Sequence, residues 1–181
     1  MARRARGDIF EGTYHVTMRS AGPIDMFRDD VDYTDFCNRL ARTIREWGWT
    51  CRAVCLMPTH YHLMLDVREN ALQTGMHALN GQYAQQFNRR HRRSGHLRGD
   101  RYSAVPIESD GHMLAAYRYV YRNPVKAGLC PRPQDWLWSS YRGAIGLEPK
   151  FGFVNDQLIH GLFGGDPEKA IPAIRDFVEE S

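Results

Sequence analysis

The stretch TCRAVCLMPTHYHLMLDV, residues 50–67, constrains the fold more tightly than any other part of the chain. Two mostly apolar runs meet at Pro58 and Thr59, a break long enough for a tight turn only, so they read as adjacent strands of an antiparallel hairpin. Upstream, GTYHVTMRS (12–20) alternates as a strand does, and within 33–48 Phe36, Leu40, Ile44 and Trp47 recur at helical spacing before Gly48. Downstream, Met76, Leu79, Tyr83, Ala84 and Phe87 mark a helix over 72–93. Residues 102–109 then read as a strand with Pro106 at an edge or bulge, and 110–127 as a third helix. The order strand, helix, strand, strand, helix, strand predicts an α+β fold: a ferredoxin-like (βαββαβ) antiparallel sheet with helices on one face. A chain of 181 residues supports one core rather than two. Residues 1–130 are expected to form the domain. Residues 131–181, turn-rich with short helical patterns near 155–163 and 167–180, are expected to form an accessory segment of C-terminal helices packed on it.

His60 and His62 stand two apart in the second strand of the hairpin. Alternate residues share a face, so both imidazoles project to one side, roughly 7 Å apart at the backbone, while Tyr61, Leu63 and Leu65 take the other side and pack the core. That spacing lets two imidazoles converge on one ion, and it equally fits two histidines with no ligand. A third donor decides between them. Cys51 and Cys55, read as sharing a strand face, would give a mixed Cys and His zinc site, but their spacing matches no common zinc module and buried thiols are the ordinary explanation. The other source is the helix at 110–127. There Leu114, Tyr117 and Tyr121 form the buried stripe, whereas Tyr119 turns about 200° from Tyr117 and lies one turn before Asn123. An amide oxygen four residues after a phenol can complete a metal site and leave the phenol beside it; three packing tyrosines are the plainer alternative.

Net charge is +3, but the positive charge is concentrated. Arg89, Arg90, Arg92, Arg93, Arg98 and Arg101 fall within thirteen residues that hold one acid, while the end of the chain carries Asp166, Glu168, Asp176, Glu179 and Glu180. Such a run is either a solvated helix end or a track for phosphates. No apolar run approaches the roughly 18 residues of a membrane span, the basic start lacks the apolar stretch of a secretion signal, and the four cysteines contain no CxxC pair. A cytoplasmic protein with no membrane partner is expected. Gly-rich phosphate loops, GxSxG and HExxH are absent, so no second catalytic centre is visible.

The Pro-Xaa-His-Xaa-His motif PTHYH, followed by YVYRNPVKAGL and then DWLWSSY, resembles the single-tyrosine HUH transposases, specifically the REP-associated tyrosine transposases. The likeness runs from about residue 12 to about residue 165 and includes GDRY before the fourth strand and LFG in the tail. It implies a catalytic domain over 1–130 that binds single-stranded or hairpin DNA and cleaves and rejoins it through a 5′-phosphotyrosine. Carried over residue by residue, the family's metal-binding histidines match His60 and His62. Its nucleophile, four places before the asparagine of NPV, matches Tyr119, and Asn123 completes the metal site. Two positions depart from the family's pattern: Thr59 stands where asparagine is usual, and Tyr61 is bulky between the histidines. The resemblance suggests magnesium as the divalent cation, whereas two imidazoles and an amide oxygen favour manganese. On this reading Arg89, Arg90, Arg92, Arg93, Arg98 and Arg101 track the DNA backbone, and Arg118 and Arg122 meet phosphate near the cut. Tyr83, Tyr102 and Trp138 are placed in packing rather than base stacking. The working unit is a monomer or a homodimer. A non-catalytic, domesticated single-stranded nucleic-acid-binding module is the alternative, and a zinc site the third reading.

Overall fold

The hairpin forms where the two apolar runs meet. β2 (Thr50–Met57) and β3 (His60–Val67) pair antiparallel across Pro58 and Thr59. β1 (Gly12–Arg19) pairs antiparallel with the other side of β3, and β4 (Ser103–Ile107) with β1, giving the order β2-β3-β1-β4. Pro106 lies on the edge strand β4, where a missing N–H costs least. The computed structural model describes residues 11–68, 71–99, 101–147 and 151–180. The basic start and Asp100 of the GDRY motif lie outside the described residues.

Helix α1 (Asp30–Trp47) starts at Asp29, whose carboxylate accepts the N–H groups of Val31 and Asp32, and stops at Gly48, where φ is 62°. Its buried Phe36, Leu40 and Ile44, with Met76, Leu79, Tyr83 and Phe87 of α2 (Ala71–Arg90), pack on one face of the sheet. That face is supplied by Tyr14, Val16 and Met18 of β1 and Tyr61, Leu63 and Leu65 of β3. Each such side chain contributes about 1.5–3 kcal/mol over leaving it in water. Helix α3 (Asp110–Lys126) and the C-terminal helices cover the opposite face, where Ala53, Cys55 and Met64 meet Tyr117, Val120 and Tyr121. The ferredoxin-like helix pair thus occupies one side and α3 the other. Among the described residues no helix is long and apolar enough to cross a membrane.

Cys51 and Cys55 do not share a face. The pairing of β2 with β3 slips between Cys51 and Ala53, and the bulge reverses the alternation, so Cys51 joins the α1/α2 core and Cys55 the α3 core. Beyond residue 131 the chain runs along the open edge of β2. The Leu56 N–H donates to the Trp138 carbonyl at 2.8 Å, the Ser140 N–H to Val54 at 2.9 Å and the Asn155 N–H to Cys51 at 2.9 Å. This satisfies an edge that would otherwise present bare backbone. After a 3-10 turn at Pro133–Asp135 come α4 (Tyr141–Ala144), α5 (Gln157–Leu162) and α6 (Pro167–Glu179), whose Ala170, Ile174 and Val178 bury into the α3 core.

Candidate active site

On the face that α3 covers, strand register decides which side chains meet. β3 presents His60 and His62; β1, with Thr17 opposite His62 and Arg19 opposite His60, presents His15, Thr17 and Arg19 to the same side. Burial of Tyr117, Val120 and Tyr121 fixes the rotation of α3 about its axis. Tyr119 is consequently 42% exposed with its ring 5.3 Å from that of His62, and Asn123, a turn later, is buried with Oδ1 3.4 Å from His60 Nε2. The His60 and His62 rings are 5.0 Å apart. The structure therefore brings together Tyr119, His60, His62 and Asn123.

The inner nitrogens of the two strand histidines point at this junction because the outer ones are engaged. His60 Nδ1 lies 3.2 Å from Thr59 Oγ1, and His62 Nδ1 lies 3.0 Å from His15 Nε2. His62 Nε2 is sealed from solvent without a hydrogen-bond partner. A buried polar atom left so costs about 1–3 kcal/mol unless something binds it. Two imidazole nitrogens and an amide oxygen suit a divalent ion of the manganese type, so the residues present fit such a cation. Burial lowers His62 from the usual imidazole range to a pKa of about 3, with the charges of His15, His60 and Arg19 acting in the same direction. Burial, then His112, lowers His15 to about 4, and burial with Arg19 lowers His60. All three imidazoles keep their lone pairs at neutral pH. Among the described residues no three His, Cys, Asp or Glu side chains gather to hold a metal, so the mixed Cys and His zinc site does not form.

The arginines divide. Arg89, Arg92 and Arg101 are exposed, and Arg93 lies 5.8 Å over the Phe87 ring. Arg90, expected on phosphate, instead donates to Asp29 at 2.7 Å and to buried Asp32 at 2.6 Å, tying the end of α2 to the start of α1. Arg98 brings the run back to the site: it bridges Ser20, and the next residue's N–H donates to the Arg19 carbonyl at 3.2 Å. Arg118 and Arg122, expected beside the cut, both donate to the Glu180 carbonyl, and Arg118 lies 5.2 Å over Phe177. The last carbonyls of a helix lack intrahelical partners and carry its negative dipole, which is why α6 draws these cations. Tyr83 and Trp138 are buried and Tyr102 is partly buried, as packing residues should be.

Three residues at the site escaped the sequence reading: His15, Arg19, and Lys126, whose Nζ sits 5.5 Å from the Tyr119 ring centre. The alternation of β1 puts His15 and Arg19 on one face, but which strand lies beside it is not written locally. Lys126 was visible as the residue three places after Asn123 on the same helix.

A family model described as "Transposase IS200 like" matches residues 8–123. A curated Haemophilus influenzae protein described as a REP-associated tyrosine transposase is 27% identical over 131 residues, covering 65% of this chain and 74% of that protein. The solved structure of a REP-associated tyrosine transposase bound to a REP hairpin matches with a TM-score of 0.70 at 17% identity, over 86% of this chain and 93% of that one. At that identity the likeness is one of fold.

Proposed function

Because this chain belongs to the IS200-like transposase family, we propose that it cleaves and rejoins single-stranded DNA through a 5′-phosphotyrosine on Tyr119, at hairpins of the REP kind. His60, His62 and Asn123 would hold the divalent cation, Mg2+ or Mn2+. The observation that carries this reading is the placement of an exposed tyrosine 5.3 Å, ring to ring, from a buried histidine whose Nε2 has no partner.

Phenols ionise near about pH 10 and attack poorly at neutrality, so the target must be polarised and the attack aimed. When bound, a divalent cation supplies charge that offsets the developing negative charge on the scissile phosphate oxygens. The chain's own residues do the rest. α3 holds the Tyr119 hydroxyl at the mouth of the site; its oxygen forms a bond to phosphorus, the phenolic proton leaves to solvent, and the bond from phosphorus to the 3′ oxygen breaks, that oxygen taking up a proton. Lys126 brings positive charge to the ring as negative charge passes through its oxygen. The ester keeps the bond energy, so attack by a 3′-hydroxyl reverses the step and joins strands. Arg89, Arg92, Arg93, Arg98 and Arg101, with Arg19, would contact the DNA backbone, giving salt-dependent binding that positions without reading sequence.

The test is incubation with labelled single-stranded and hairpin oligonucleotides in Mn2+ or Mg2+, followed by a denaturing gel. A covalent adduct that disappears with Tyr119→Phe, with His62→Ala and with EDTA is expected. An adduct that survives Tyr119→Phe overturns the assignment of the nucleophile. Salt-sensitive hairpin binding with no adduct under any condition would make the chain a binding module.

A further inference from the structure

We infer that His15 is a positioning residue of this site: its Nε2 accepts the Nδ1–H of His62 and so holds His62 in the tautomer whose Nε2 lone pair faces His60 and Asn123. The inference rests on the metal-site reading above. The contact is 3.0 Å and joins residues 47 apart in sequence, on neighbouring strands. The two rings stack at 5.2 Å with 25° between their planes.

A neutral imidazole carries one proton on its two nitrogens, so the pair has two arrangements. If His15 donates, the His62 proton moves to Nε2, the buried atom with no partner, and no lone pair is left there for an ion. If His62 donates, Nε2 is a ligand atom, and the His15 proton sits on its own Nδ1, which is not one of the sealed, unpartnered atoms. Only the second arrangement serves a cation. His60 is treated alike, with the Thr59 hydroxyl 3.2 Å from its Nδ1. Each ligand histidine thus has an acceptor behind it, which fixes the ring and raises the basicity of the opposite nitrogen. Loss of such a partner typically costs about 10–100-fold in metal affinity. The His15 ring also stands edge-on to Tyr119, 5.8 Å away, so the same side chain walls the phenol.

Two readouts test this without DNA cleavage. Mn2+ affinity is measured by calorimetry on wild type, His15→Phe, His15→Gln and His62→Ala, and the His62 tautomer is read from long-range 15N correlations in the metal-free protein. In wild type the proton is expected on Nδ1 of His62. Phenylalanine keeps a ring but removes the acceptor, and is expected to lose about tenfold or more in affinity and to mix the tautomers. Glutamine, whose side-chain amide reaches the place of Nε2, is expected to restore both. Wild-type affinity in His15→Phe, or a wild-type His62 with its proton on Nε2, overturns the role of His15. Should His15→Phe fail to fold, the wild-type tautomer and His15→Gln still decide. Undiminished Mn2+ binding by His62→Ala would instead overturn the metal site itself, and the positioning role with it.

Discussion

Acidifying the metal-free chain from about pH 7.5 to about pH 5 is expected to cost about 3 kcal/mol of folding stability, most of it from two histidines. Burial lowers His62 to about 3 and His15 to about 4, against 6.5 for an unburied imidazole. Between those values and 6.5 the unfolded chain binds protons that the folded chain refuses, so stability falls as pH drops through 6.5 and levels off only below the folded pKa values. At about pH 5 both rings remain neutral in the folded chain, and the loss depends only on the unfolded pKa, about 2 kcal/mol for each ring. His60, also lowered by burial, adds to the loss. Asp156 opposes it: burial raises its carboxyl from 3.8 to about 6, against the pull of His160, so the folded chain takes up that proton as the pH falls. The gain is about 1.4 kcal/mol over the same range. The assay is urea denaturation followed by tryptophan fluorescence, in EDTA, at both pH values. A double variant, His15→Gln with His62→Gln, should lose most of the acid sensitivity, because only His60 then opposes Asp156. A wild type equally stable at both pH values, or a double variant that keeps the wild-type loss, would refute the reasoning.

Four further outcomes follow from the packing, the charges and the candidate metal site. Arg90→Ala should lower the urea midpoint yet leave the salt dependence of DNA affinity unchanged, since its guanidinium is held by Asp29 and Asp32; Arg89→Ala and Arg92→Ala should each flatten the slope of log affinity against log salt by about 0.7–0.9. Gly75→Ala should destabilise by about 1–3 kcal/mol, because its Cβ would come within 2.6 Å of two ring atoms of buried Trp49. In the same helix Gly81→Ala, whose Cβ meets nothing within 4 Å, should stabilise by about 1 kcal/mol in the same denaturation series. Mn2+ at about 100 times its dissociation constant should raise folding stability by about 2.7 kcal/mol, and the increment should vanish in His60→Ala, read by thermal unfolding with and without the ion.

The parts of the site that were legible in the sequence are those fixed by short-range geometry. Tyr119 and Asn123 share a helix face because they are four residues apart, and His60 and His62 share a strand face because they are two apart; neither fact needs a partner element. His15 could not be found that way. Alternation says which side of β1 it occupies, but its meeting with His62 depends on β1 lying beside β3 rather than β2, and on a register set by the whole sheet. The ion pairs of Arg90 were hidden for the same reason in reverse. Its neighbours in sequence are basic, and the buried acid that claims it, Asp32, sits 58 positions away at the start of another helix. The bulge that separates Cys51 from Cys55 is subtler, since one slipped residue reverses every later side chain while the local pattern still reads as a strand. Local periodicity therefore located His60, His62, Tyr119 and Asn123, while tertiary pairing brought His15 against them. If His62 is a ligand, those two kinds of information join at its 3.0 Å contact with His15: the motif histidine would depend on an acceptor from another strand, and substituting His15 would separate the motif from what surrounds it.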